Sequence, residues 1–155
     1  MSLEIRKATL NDAERICYIS EHTKEVIYPK YYPAEVTEYY KSRQTPDKLK
    51  ADIEAGNVIA LIFNGSIIGL GSRTENIITR VYVLPEAEGQ GFGSMIMQSL
   101  ETAIFAEYDH CELNASAPAA LFYENRGFYT TRHIRYELEN GSYMIYEIMR
   151  KDKKE

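Results

Sequence analysis

Three glycines at alternate positions, Gly89, Gly91 and Gly93, are the residues whose type and spacing first suggest chemistry. They follow the β-branched run Val81-Tyr-Val-Leu84 and Pro85, and they open at once into the helical pattern Ser94-Met-Ile-Met-Gln-Ser-Leu100. Glycine admits backbone conformations closed to other residues, and the first amides of a helix lack intrahelical acceptors. Such a stretch can point several N–H groups at a phosphate or pyrophosphate. A dinucleotide fingerprint would place the glycines after the first strand of a βαβ unit, whereas here the preceding strand is the fourth and follows a hairpin. A P-loop would end in Gly-Lys-Ser/Thr, which this stretch lacks. Taken alone, the glycines also fit a tight strand-to-helix turn with no ligand.

The elements that must hold this stretch are legible from periodicity. Residues 3 to 8 alternate apolar and polar as a first strand, and Thr9, Asn11 and Asp12 offer N-cap groups to a helix bearing Ile16, Cys17 and Ile19. Tyr28-Pro-Lys-Tyr-Tyr-Pro33 breaks that helix, Pro33 suits the first turn of a second, and Thr45 to Gly56 reads as a third. Five of the 13 tyrosines fall between Tyr28 and Tyr40. They either cover the core or line a substrate pocket or subunit contact.

Val58 to Leu70 is a hairpin turning at Asn64-Gly65, and 76 to 84 is the next strand. The helix from Ser94 carries Ile96, Leu100, Ala103 and Ile104 on one face, with Gln98, Glu101 and Thr102 turned away. A strand at 111 to 115, a short helix at 118 to 125 and a hairpin of 128 to 139 with 142 to 150 follow. That hairpin turns at Asn140-Gly141, with the turn chemistry of the first one. The order predicts a mixed sheet with helices on both faces, residues 1–150 forming a single domain and 151–155 a frayed charged tail.

The chain of 155 residues carries 18 Lys and Arg against 23 Asp and Glu, a formal charge of −5, which argues against nucleic-acid or anionic-membrane binding by counterion release. Cys17 and Cys111 lie in separate apolar segments without metal-ligand spacing, so reduced thiols in the cytoplasm are expected and no metal site is. No apolar run approaches the roughly 20 residues of a membrane span. The apolar face of the C-terminal hairpin, Ile134, Tyr136 and Leu138 against Met144, Tyr146 and Ile148, would be a liability if exposed; a homodimer is expected.

Val83-Leu-Pro85 and Glu88-Gly-Gln-Gly-Phe-Gly93 are followed about twenty residues later by Asn114-Ala-Ser-Ala-Pro-Ala-Ala-Leu-Phe-Tyr123-Glu-Asn-Arg-Gly127-Phe128. Together they resemble the GCN5-related N-acetyltransferase (GNAT) family. The resemblance covers residues 57 to 150 well and the N-terminal third only in its order of elements. It implies an α/β (α+β) fold: a mixed, largely antiparallel central sheet of about seven strands flanked by about four helices.

It also implies acetyl-CoA as cofactor and a small-molecule or peptide amine as acceptor, attacked directly in a ternary complex. Residue by residue, Gly89, Gly91 and Gly93, with the amides of Glu88, Gln90, Phe92 and Ser94, match the pyrophosphate cradle. Val81 and Val83 match the strand positions that pair with the pantetheine arm. Ser116 stands where many members have a cofactor-contacting Asn, and Tyr123 matches the tyrosine that protonates the departing thiolate. A phenol of pKa about 10 is protonated at neutral pH and can do this.

Three positions depart from the pattern. Glu88 replaces Gln or Arg, so its contribution is expected through the backbone; Ser116 is shorter than Asn; Arg126 stands where Lys is frequent and is within range of a phosphate. For the general base, Ile77 occupies the expected position, leaving Glu75 as first candidate and Glu21, His22 and Glu112 as others. An acyl-CoA-binding sensor or interaction domain without catalysis is the alternative to the enzyme.

Overall fold

The computed structural model describes residues 2–154. Strands β1 (Leu3–Lys7), β2 (Val58–Phe63), β3 (Ser66–Thr74), β4 (Ile77–Val83), β5 (His110–Ser116), β6 (Tyr129–Glu137) and β7 (Tyr143–Asp152) form one sheet in the order β1-β2-β3-β4-β5-β7-β6. Five helices flank it: α1 (Ala13–Ile27), α2 (Ala34–Arg43), α3 (Pro46–Glu54), α4 (Phe92–Phe105) and α5 (Ala120–Asn125). All neighbouring strands are antiparallel except β4 and β5. The mixed, largely antiparallel architecture is the one expected, with five helices where about four were expected.

The period-two pattern of β2 separates two cores. Val58 and Ala60 face α1 and α3 with Ile16, Ile19, Leu49 and Ile53, while Leu61 faces α4 with Ile96, Leu100 and Ile104. β3 continues the division. Leu70 lies on the α1 side, and Gly69 and Gly71 lie under α4, where a Cβ on Gly71 would come within 2.5 Å of Ile96 Cγ2. These two glycines let α4 lie close on the sheet. Burying a side chain such as Ile96 contributes about 1.5–3 kcal/mol, so this packing fixes where the helix begins.

Asn64 and Gly65 both take positive φ, 51° and 84°, as the first hairpin turn requires. The second hairpin differs from expectation. Leu138 N donates to Ser142 O, only Gly141 has positive φ, and Asn140 contributes its side-chain oxygen to Ser142 N instead. A three-residue loop replaces the two-residue turn. The expected cross-strand pairs Ile134 with Tyr146 and Tyr136 with Met144 do form.

Three other expectations are corrected. α4 starts at Phe92, two residues early, because Gly91 is its left-handed N-cap (φ 85°). Glu101 does not turn away: it is 4 % exposed and holds Arg126 and Lys151. That contact also explains why the tail is not frayed from Lys151, since β7 runs on to Asp152 with Lys151 opposite Cys111.

Candidate active site

The segment from Gly89 to Ser94 is held by its two ends. Leu84 N bonds to Ile68 O on β3, a short turn over Pro85–Ala87 follows, and α4 is anchored by Phe92 in the core against Phe63. Between these points Gly89 and Gly91 take φ of 80° and 85°, and an added Cβ would meet nothing within 4 Å at either. Glycine is required there by conformation and not by space. Gly93 differs: it is helical, and a Cβ would touch the Phe122 ring at 3.4 Å, an ordinary contact.

Among the described residues, none accepts a hydrogen bond from the amides of Gly89, Gln90, Gly91, Phe92, Gly93 or Ser94, whereas Met95 N already bonds to Gly91 O. Six successive donors at a helix N-terminus, with its positive partial charge, are the arrangement that suits an anion. Glu88 does not belong to it. Its amide donates to Pro85 O at 3.3 Å and its residue is exposed, so the series begins one residue later than the sequence implied.

Beside the cradle the sheet opens. β4 and β5 pair only at Ile77 with Glu112 and Ile78 with Leu113, and then part. The parting has a local cause on β4. Ser72 pairs with Arg80 and Arg73 with Ile78, which leaves Thr79 as an extra residue in a bulge that bends the strand. The bulge also resets the alternation, so Ile78, Val81 and Val83 belong to the α4 core while Tyr82 packs against the α1 core. Beyond Ile78 the β5-facing edge of β4, including Val81 and Val83, has no strand partner.

α5 closes the opening from the α4 side. Tyr123 is 8 % exposed, contacts Phe122 and Phe128 edge-on, and its hydroxyl has no hydrogen-bond partner among the described residues. Burial pushes its phenol well above the ordinary tyrosine value, with smaller contributions from Tyr28 and Cys111, so it carries its proton at any physiological pH. α5 has only six residues and no side-chain cap; what fixes it is the ion cluster beneath. Arg126, next after α5, gives two hydrogen bonds to Glu101 Oε2 (3.1 and 2.8 Å), and Lys151 holds Oε1. This engagement removes Arg126 as a phosphate ligand.

The other candidates do not join Tyr123. Glu75 is exposed in the β3–β4 turn with φ 55°, before the paired end of β4, and its carbonyl is bound by Arg73. Glu75 thus precedes the paired end of β4, at the opposite end of that strand from Val81 and Val83. Glu21 lies 3.4 Å from Lys24 Nζ, His22 is 3.0 Å from Glu86, and Glu112 is 3.8 Å from His110. Cys111 lies fully buried beneath α5 with its thiol pushed up to about 12, chiefly by burial, so it is protonated and unreactive. Among the described residues no group of three or more His, Cys, Asp or Glu is placed to hold a metal.

The clustered tyrosines meet the sheet at the end of β5. Tyr28, Tyr32 and Tyr40 pack edge-to-face or tilted with ring centroids 5.0 to 5.6 Å apart, and Tyr32 OH accepts a hydrogen bond from Ala117 N at 2.7 Å, just past β5. Tyr82 OH donates to Gln44 Oε1 (2.8 Å), and Gln44 Nε2 donates to Thr79 O (3.1 Å) at the bulge. Gln44 carried no signal in the sequence. The tyrosines did, through their clustering.

The sequence model of the Acetyltransferase (GNAT) domain matches residues 27–145. No curated protein matches the sequence significantly. Among solved structures, a GCN5-related N-acetyltransferase from Rhodopseudomonas palustris is similar with a TM-score of 0.86 at 22 % identity, covering 99 % of this chain and 97 % of that one. PaiA N-acetyltransferase from Thermoplasma acidophilum, in complex with coenzyme A, gives 0.76 at 20 % over 99 % and 100 %. YncA from Salmonella typhimurium, a putative acetyltransferase with its cofactor acetyl-CoA, gives 0.75 at 20 % over 100 % and 96 %. With the domain match spanning most of the chain, and with an amide cradle, a parted β4–β5 pair and a buried tyrosine in one place, this chain belongs to the GNAT acetyltransferase family.

Proposed function

We propose that the protein is an N-acetyltransferase that passes the acetyl group of acetyl-CoA to a primary amine by direct attack in a ternary complex. The observation that carries this reading is the run of six acceptor-free amides from Gly89 to Ser94 beside the parted strands. Their number, helix dipole and open surroundings fit a pyrophosphate, and the unpaired edge of β4 at Val81 and Val83 fits an amide-bearing arm. When bound, the thioester supplies an activated acetyl group: the C–N bond to the amine forms as the C–S bond breaks, giving an amide and a free thiol.

The chain's own residues divide the remaining work. Tyr123 holds a proton at its hydroxyl and gives it to the leaving sulfur, for which a buried, fully protonated phenol is suited. Ser116 ends β5, the strand that parts from β4. The titratable groups that act on the Tyr123 phenol are Tyr28 and Cys111, neither a carboxylate nor an imidazole, which favours loss of the amine proton to water over a dedicated base. Buried, protonated Cys111 favours direct attack over a covalent intermediate. We further propose a cytoplasmic homodimer paired through β6, an edge strand along which no residue is buried.

The test combines a melt with a thiol-release assay on phenethylamine, putrescine and a lysine-containing peptide. Coenzyme A is expected to raise Tm, and Tyr123→Phe to lower kcat by about 100-fold while coenzyme A still stabilises the protein. Stabilisation with no thiol release from a broad amine panel would favour a non-catalytic acyl-CoA sensor. No stabilisation at all sinks both.

A further inference from the structure

Arg80 is 6 % exposed, yet only one end of its guanidinium is used. Nη1 donates to Asp52 Oδ2 and to Ser72 Oγ, which occupies both of its protons. Nε is buried without a partner, and Nη2 donates to none of the described residues. Nε and Nη2 form the side-on edge of the fork, the edge by which Arg126 holds Glu101 and which suits a carboxylate. The Asp52 side chain is 32 % exposed and screened by water, whereas that of Arg80 is 4 % exposed, so positive charge stays in excess at the buried end of the pair.

Arg80 floors a crevice walled by Cys17, Ser20 and Glu21 of α1 and by Gln44 and Pro46 at the junction of α2 with α3. The crevice is too narrow to admit water, so solvent does not satisfy Nε there. Glu21 is itself matched by Lys24, 3.4 Å away. Cys17 and Pro46 also line a groove of about 480 Å³ between α1 and α3, with Leu10 and Ala13 as apolar wall and the exposed Glu14 and Lys50 at the rim. The two spaces therefore share a neck. Pro46, in the first turn of α3, has no amide bond to break if the junction swings outward.

We propose that this crevice is a second binding site, for a small carboxylate with a short apolar tail: the carboxylate pairs with Nε and Nη2 of Arg80, and the tail passes Cys17 and Pro46 into the groove. The site does not depend on what the glycine-rich segment binds. Its place in the fold ties it to the gap in the sheet. Ser72 Oγ, held by Arg80, bonds to Thr79 Oγ1 at 2.7 Å, and Gln44 Nε2 bonds to Thr79 O, so an occupant touches both supports of the bulge that bends β4. A separate ligand and an acceptor amine bearing its own carboxylate share this chemistry.

The test is alkylation of Cys17 by N-ethylmaleimide in the full chain, followed by mass spectrometry, with fully buried Cys111 as internal control. Hexanoate at about ten times its Kd is expected to slow the reaction about tenfold, because only the free protein reacts. Hexanamide, which has the same shape without the charge, is expected to give little protection, and Arg80→Lys, which keeps a cation for Asp52 but lacks the fork, to abolish that by hexanoate. No protection, equal protection by both ligands, or protection that survives in Arg80→Lys overturns the proposal; the comparison of ligands needs no variant if Arg80→Lys does not fold. A Cys17 inert in the free protein overturns it too, since no route then leads in from the groove. Protection by 6-aminohexanoate together with acetylation of its amine by acetyl-CoA assigns the site to the acceptor, and protection without acetylation assigns it to a separate ligand. If coenzyme A does not raise Tm while hexanoate protects Cys17, the acetyl-CoA reading falls and this one stands.

Discussion

Gly91→Ala and Gly71→Ala are the same chemical change with two different physical consequences. At Gly91 the backbone is left-handed, φ 85° and ψ 7°, and a methyl would meet no atom within 4 Å. The cost is conformational, about 1–2 kcal/mol for a non-glycine residue held there. At Gly71 no positive φ is involved, but the methyl would stand 2.5 Å from Ile96 Cγ2 and 3.0 Å from Leu100 Cδ1. Ile96 Cγ2, one bond from its Cβ, cannot clear that space without a strained rotamer or a shift of α4, so overpacking should cost about 1–3 kcal/mol. At about 2–4 °C per kcal/mol for a chain of this size, both variants should melt several degrees below the parent.

Coenzyme A separates them. Parent protein at a ligand concentration of 100 Kd gains about 2.7 kcal/mol. Gly91→Ala can relieve its strain by rotating to negative φ, which swings the adjoining amides out of the cradle. Its ligand-induced rise in Tm should shrink to half or less, whereas Gly71→Ala, which leaves the cradle's backbone conformation available, should keep more of its own. Melts with and without coenzyme A on all three proteins decide the matter. A full ligand-induced rise in Gly91→Ala would falsify the assignment of these amides to the anion, and a Gly71→Ala protein as stable as the parent would refute the packing account.

Two more predictions concern charges. Glu101→Ala leaves Arg126 and Lys151 facing each other in a mostly buried site and should cost about 3 kcal/mol, read from urea unfolding; a loss below 1 kcal/mol would show that the cluster does not anchor α5. Asp12, hydrogen-bonded by Arg6, titrates at about 2 instead of 3.8. A carboxylate held below its unfolded value contributes stability above about pH 4 that fades as pH falls through 2. The pair is partly exposed, so this amounts to at most about 1 kcal/mol, and Arg6→Met should flatten that part of the acid unfolding curve. An unchanged curve refutes the pairing.

The sequence by itself determined the local steps. Period-two runs, proline breaks, Asn64-Gly65 and the two motifs fixed the element order, the family and the amide cradle, because each depends on contacts within a few residues. Local spacing failed where the answer lay across the sheet. Glu101 read as a surface residue on helical periodicity, and only the approach of α5 and β7 buries it between two cations. Asn140-Gly141 read as a two-residue turn, but the strands it joins set a three-residue loop. Glu75 was near the glycines in sequence, yet the direction of β4 carries it beyond the closed end of the gap. Above all, the tyrosines after α1 were visible as a cluster that either covers the core or lines a pocket or subunit contact. Tertiary structure alone sets Tyr32 at the end of β5, where its hydroxyl accepts from Ala117 N, because that contact joins residues far apart in the chain.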